Sequence, residues 1–165
     1  MIRYLLPFPF RRSSFTFSNT FSNPEKTMDL VFTIHSHTRW LVAIAAVLAI
    51  VKLAITAMQG KEYGKGDRAF SSAFIGMLDL QGTIGLVVLI WRLAAGVTIA
   101  RFTWEHFATM LIALSVAHIM KGRVDTKTAP AARARVMLLT FLGVAVLVYV
   151  GIARLPQGGA HMFMP

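Results

Sequence analysis

Three histidines in this 165-residue chain carry its strongest chemical signal. His35 and His37 stand just ahead of the first long apolar run, and His106 lies about one helical turn into the third. In a set of antiparallel helices all three belong to the same end. Two imidazoles from facing helices, walled by apolar side chains, form the ligand set of a b-type haem. His35 and His37 are two positions apart, about 200° around a helix, so one of them points inward. If the inward face is drawn through Lys52, His37 is offset by about 60° and His35 by about 260°, which favours His37 as the partner of His106. The competing reading makes the three histidines interfacial, beside Trp40, Trp91 and Trp104 in the aromatic belt that frames membrane spans.

A second group consists of polar residues inside otherwise apolar runs: Lys52, Asp79, Gln81, Glu105 and His118. An ionisable side chain inside a bilayer costs about 2.5–3.5 kcal/mol on insertion scales, so each needs a partner or a purpose. Lys52 and Asp79 lie seven or eight residues from the same end of consecutive runs. Antiparallel packing is therefore expected to bring them together, with Gln81 near the same level; the alternative is that Lys52 extends its stem to the membrane surface. Glu105 is expected to pair with Arg101, one turn earlier, or with Arg39. His118 reads as an interfacial histidine beside Lys121, or as a proton-relay partner of Asp79. Gly76, Gly82 and Gly85 leave a small-residue groove on the second run, suited to a close helix or, at Gly82, to a planar cofactor.

The elements that must position these residues follow from composition. The chain is 56% hydrophobic and 15% charged, with no cysteine and a formal net charge of +10. Its mean hydropathy is +0.62. A soluble domain carries about 25% charged residues, so this chain lacks the polar surface to coat a packed core. Nucleic-acid binding is excluded on the same ground, since a basic binder needs a water-soluble scaffold. The bilayer is the expected partner. The missing cysteines exclude disulfides, iron–sulfur clusters, thiolate zinc sites and covalently attached haem, and leave histidine as the principal iron ligand.

Four runs are long enough to cross a hydrocarbon core of about 30 Å: Trp40–Met58, Ser72–Trp91, Phe102–Met120 and Val136–Ala153. None alternates as a strand would, so the expected fold is all-α, an integral membrane four-helix up-down-up-down bundle. The loops 59–71 and 121–135 hold Lys61, Lys65, Arg68, Lys121, Arg123, Lys127, Arg133 and Arg135. The opposite side holds Arg39, Arg92, Arg101 and Arg154, which places those two loops in the cytoplasm and both termini outside. That count sets aside residues 1–27, where Arg3, Arg11, Arg12 and Lys26 would equalise the two sides.

Residues 1–27 are rich in Phe, Ser and Arg, and Pro7 and Pro9 break any signal-peptide core. Three readings fit them: a transit-like peptide, a disordered tail, or an upstream extension of a protein starting at Met28. The last is favoured, because MDLVFTIHSHTRW leads directly into the first span. The organisation expected is an extension over 1–27, a transmembrane domain over 28–156, and a flexible tail over 157–165. Gly143 and Gly151 offer a face on the fourth span for a homodimer.

The order HSHTRW, KEYGKGDR, DLQGTIGL, RFTWEHFATMLIALSVAHI and ARLP resembles a family of small four-helix bacterial inner-membrane proteins labelled cytochrome b-like. The resemblance covers about residues 30–156. It marks His35, His37, Trp40, Gln81, Glu105, His106, His118 and Arg154 as matching positions. It implies a haem b electron carrier exchanging electrons with quinone or a partner complex. One departure stands out: where the family often carries a His-x-Gln triplet, this chain has Asp79-Leu80-Gln81. A second function class is a non-catalytic accessory subunit of a larger respiratory or photosynthetic membrane complex. A third, proton or ion conduction through Lys52, Asp79, Gln81 and His118, rests on a thin set of groups. No hydrolase spacing or phosphate-binding loop is present, so hydrolytic chemistry is not expected.

Overall fold

A computed structural model of the chain describes residues 24–156. They form four long helices, α1 (Pro24–Met58), α2 (Lys65–Ala94), α3 (Arg101–Lys127) and α4 (Arg133–Ala153), with one 3-10 turn over Pro130–Ala132. No strand occurs among the described residues, and the fold is all-α as expected. α1 packs on α2 and α4, and α3 on α4 and, less extensively, on α2. The helices therefore close a ring in which α1 lies diagonally opposite α3, and α2 opposite α4. Residues 157–165 and the first 23 residues of the expected extension, including the tail histidine His161, fall outside the described residues; Pro24–Thr27 are helical and continuous with α1.

All four helices are long and apolar enough to cross a membrane. At 1.5 Å per residue, α4 with 21 residues spans about 31 Å, while α1 with 35 runs about 52 Å. The size pattern across α1 explains how it packs. Its buried stripe is Val42, Ala46, Ala49 and Leu53, while Leu41, Ile44, Val47, Leu48, Val51 and Ile55 face outward. Small residues inward let neighbouring helices approach, and large aliphatics outward suit lipid rather than water. α4 likewise turns Leu139 and Val146 outward, but the side chains it buries include the large Met137 and Phe141 beside Thr140 and Val144.

The centre of the bundle is closed by aromatic rings from one diagonal. Phe74 of α2 and Phe141 of α4 are fully buried and meet edge to face, with centroids 4.8 Å apart. Leu53, Ala117, Val124 and Met137 complete this plug. Two glycines turn the chain at opposite ends: Gly60 (φ 63°) ends α1, and Gly96 (φ 72°) ends α2. Each sits in the left-handed conformation that helix C-termini favour, and Lys61 N–H and Val97 N–H return to the carbonyls of Thr56 and Arg92.

Candidate functional site

The inward histidine of α1 is His35, whereas the angular argument favours His37. His35 lies seven residues before Val42 and fourteen before Ala49, so it continues the buried stripe; Lys52, the reference for the expectation, sits at the edge of that stripe, partly exposed. His37 is exposed, and its Nδ1 lies 2.8 Å from the Thr33 carbonyl of its own helix. The imidazole of His35 lies against α2 at Gly85, where a Cβ would stand 2.9 Å from its Cε1. Gln81 clasps the same residue, donating from Nε2 to the His35 carbonyl at 2.8 Å, with the ring nitrogens 3.3 and 3.4 Å away. Thr38 Oγ1 donates to Gln81 Oε1 and also reaches the Ile34 carbonyl, 2.9 Å away. Gln81 thus joins α1 to α2 directly beside His35.

His106 occupies the diagonal position. Its Nδ1 is 3.0 Å from the Gly151 carbonyl of α4, a bond in which the imidazole N–H donates. Since a carbonyl only accepts, the proton of this bond sits on Nδ1, which leaves Nε2 as the ring nitrogen not engaged by it. Gly151 makes it possible: a Cβ there would lie 3.3 Å from the Thr109 side chain and would collide with the Met110 methyl. His35, against Gly85 near the end of α2, and His106, against Gly151 near the end of α4, stand on diagonal helices at the same end of the bundle. Beside His106, Glu105 accepts from Arg101 Nε at 2.8 Å, as expected, and lies 3.7 Å from Arg154 Nη1. This second contact ties the start of α3 to the end of α4.

No family model, curated protein or solved structure matches this chain. Its function must therefore be read from the residues themselves. Two features fit a haem: imidazoles on diagonal helices at one end of the bundle, one of them oriented by a carbonyl bond at Nδ1, and a glycine at 85 where any side chain would crowd the His35 ring. Gly82, expected to line a cofactor groove, instead faces α3, where a Cβ would rest 3.6 Å from Leu114. The described residues contain no cluster of three or more metal-ligating side chains, a set that a two-histidine haem site does not require.

The expected Lys52–Asp79 pair is replaced by two other pairs. Lys52 Nζ lies 2.9 Å from Asp67 Oδ1 and 2.9 Å from Thr56 Oγ1, and Thr56 Oγ1 donates to the same carboxylate oxygen at 2.7 Å. The other oxygen, Oδ2, accepts from the Gly64 N–H at 2.8 Å, capping the first turn of α2. Asp67 and Asp79 are twelve residues apart, about 120° around the helix, so one faces α1 and the other α3. Asp79 Oδ1 is 2.8 Å from His118 Nε2, both side chains about half exposed. The Lys52 stem runs toward the surface, the alternative considered, but reaches a buried carboxylate there. Sequence reasoning missed Asp67, although a carboxylate three residues after Gly64 at a helix start is a capping signal.

The same end of the bundle holds further polar contacts. Tyr63 donates to Ser71 Oγ at 3.1 Å. Arg68 stacks over the Tyr63 ring, 5.4 Å from its centroid, while reaching Asp125 at 3.0 Å. Lys121 lies 3.7 Å from the other oxygen of Asp125. Burial pushes the Tyr63 phenol pKa above its usual 10.0, outweighing the opposing effect of Ser71.

Proposed function

We propose that this chain is a membrane-embedded electron carrier in which His35 and His106 hold a b-type haem. The observation that carries the reading is the placement of these imidazoles on diagonal helices at the same end of the bundle, with His106 already oriented through Nδ1. A bound haem supplies one-electron transfer at an iron whose potential follows its axial ligands and their hydrogen bonds. The chain's own residues supply the rest. Gly151 aims His106, Gln81 and Thr38 fix the backbone that carries His35, and Glu105 with Arg101 and Arg154 holds the adjoining helix ends together. Membrane quinone and a partner complex are the expected exchange partners.

The basic segments 59–71 and 121–135, each a short connection together with the helix ends that flank it, support a cytoplasmic assignment for that end, which puts the histidines and both termini on the outer side of a bacterial inner membrane. Visible spectra of the full chain, purified in detergent from haem-replete cells, test the proposal. The expected result is a Soret and α-band pair in the reduced-minus-oxidised spectrum, lost in His35→Ala and His106→Ala and kept in His37→Ala. A colourless preparation overturns it. A second reading is then favoured by the tethering of both histidines to neighbouring helices: an accessory subunit whose polar groups lock helix register within a larger complex.

A further inference from the structure

We infer that the outward face of α2 and α3 around Asp79 and His118 is the contact between two copies of this chain, related by a two-fold axis along the membrane normal. The starting point is depth. Asp79 stands at the middle of the 30-residue α2, yet its side chain is 45% exposed and that of His118 52% exposed. A half-open ionisable pair at mid-membrane is costly against hydrocarbon and calls for a polar cover. Asp79 Oδ1 takes the His118 Nε2 contact, and among the described residues neither Asp79 Oδ2 nor His118 Nδ1 makes a further hydrogen bond. Each copy thus offers one free carboxylate oxygen and one free imidazole nitrogen at a common depth. A two-fold axis along the normal sets the free carboxyl oxygen of one copy against the free imidazole nitrogen of the other, twice, each such contact sharing a single proton.

The residues around the pair fit the same cover, layer by layer. One turn toward the basic loops lie Gly76 and Gly122, both exposed and both with open space where a Cβ would stand. A turn further lie Ser72 and Thr126; in the opposite direction lie Thr83 and Ser115, all exposed. The hydroxyls of Thr83, Ser115 and Thr126 bond back to carbonyls of their own helices, so they present small surfaces and no unmet donor. Elsewhere the outer faces carry Leu, Ile and Val, as on α1 and around Leu139 of α4. Small residues flanking a polar pair are what close helix–helix contact in a bilayer uses. Of the two glycines expected to form a dimer face on the fourth span, Gly143 has open space where a Cβ would stand, whereas Gly151 packs against Thr109 and Met110 of α3.

The absence of cysteine makes a direct test available. Two differently tagged full-length chains, one carrying Gly76→Cys and the other Gly122→Cys, are co-expressed and oxidised in native membranes. The expected product carries both tags at twice the 18.2 kDa chain mass, and a matched pair of Leu139→Cys chains gives none. In nanodiscs, light scattering is expected to find two copies of the wild type. The double variant Gly76→Leu with Gly122→Leu should lose roughly tenfold in dimer affinity while keeping its helical circular dichroism. The inference is overturned by a monomeric wild type or by absence of the double-tagged product. Cross-linking of the Gly76→Cys chain to a protein of different mass also overturns it, and would assign the face to a foreign subunit.

Discussion

Lys52 of α1 and Asp67 of α2 meet at 2.9 Å around a carboxylate that is almost fully buried, although both belong to helices read as membrane spans. The carboxylate also takes bonds from Thr56 and from the Gly64 amide, so it serves the helix pair and the start of α2 together. Removing the two charges should have unequal effects. Asp67→Ala leaves the ammonium, a hydroxyl and an amide without their acceptor, and should cost about 3 kcal/mol. Lys52→Met should cost less, because the carboxylate keeps two donors and Lys52 is already partly exposed. Unfolding titrations in mixed micelles, followed by circular dichroism, measure both; equal losses would contradict the arrangement.

Glycines 85, 143 and 151 should respond differently to the same added methyl. Gly85→Ala sets a Cβ 2.9 Å from the His35 ring, a clash expected to cost about 1–3 kcal/mol, less the ~0.5–1 kcal/mol gained by removing a helical glycine. Gly151→Ala strikes the flexible end of Met110 and presses on Thr109, so its loss should be smaller, with the His106 contact displaced. Gly143→Ala meets nothing within 4 Å and should be neutral or stabilising. Thermal unfolding of the three variants under one detergent condition checks the order.

Gln81→Leu keeps the volume and deletes the amide that links the His35 carbonyl to Thr38. Thr38 retains its own carbonyl partners, so the loss should be about 1–2 kcal/mol rather than that of a stranded buried group. If a haem is present, its absorption bands should shift in this variant without disappearing. Unfolding and spectra recorded on one sample measure both.

Tyr63 provides a pH signature outside the spans. Its phenol ionises above 10.0 in the folded chain because it is buried, whereas the unfolded chain ionises at the ordinary value. Its contribution to stability is therefore complete below about pH 10 and falls as pH rises above that value, since only the unfolded form then gains from losing the proton. The Tyr63→Phe variant should show a shallower alkaline decline than wild type, and difference titration of phenolate absorbance should place Tyr63 late.

The four spans are legible in the sequence because length and hydropathy are properties of contiguous residues. Their full extent is less so: α1 starts at Pro24, sixteen residues ahead of the apolar run, since Thr, Ser and His interrupt hydropathy without breaking a helix. Glu105 with Arg101 can be read from a one-turn spacing, which is local. His35 escapes the angular argument because one reference residue, Lys52, stands there for a whole face; the stripe Val42, Ala46, Ala49 and Leu53 locates it. The Lys52 and Asp79 partners depend on which side of α2 each carboxylate occupies, and distance from a span end carries no angular information. The His106 contact with Gly151 joins residues 45 apart through a backbone carbonyl, which no side-chain pattern records.

The Asp67 cluster also bears on biogenesis. Its bonds close over 15 residues to Lys52 and 11 to Thr56, so the first helical hairpin can latch while the ribosome is still making α3. α3 and α4 have their own tie in His106 and Gly151, and α2 meets α3 only lightly. Each helical pair thus carries a polar tie of its own: the Lys52 and Asp67 charges are neutralised within the first pair, whereas Asp79 of that pair waits for His118 of α3.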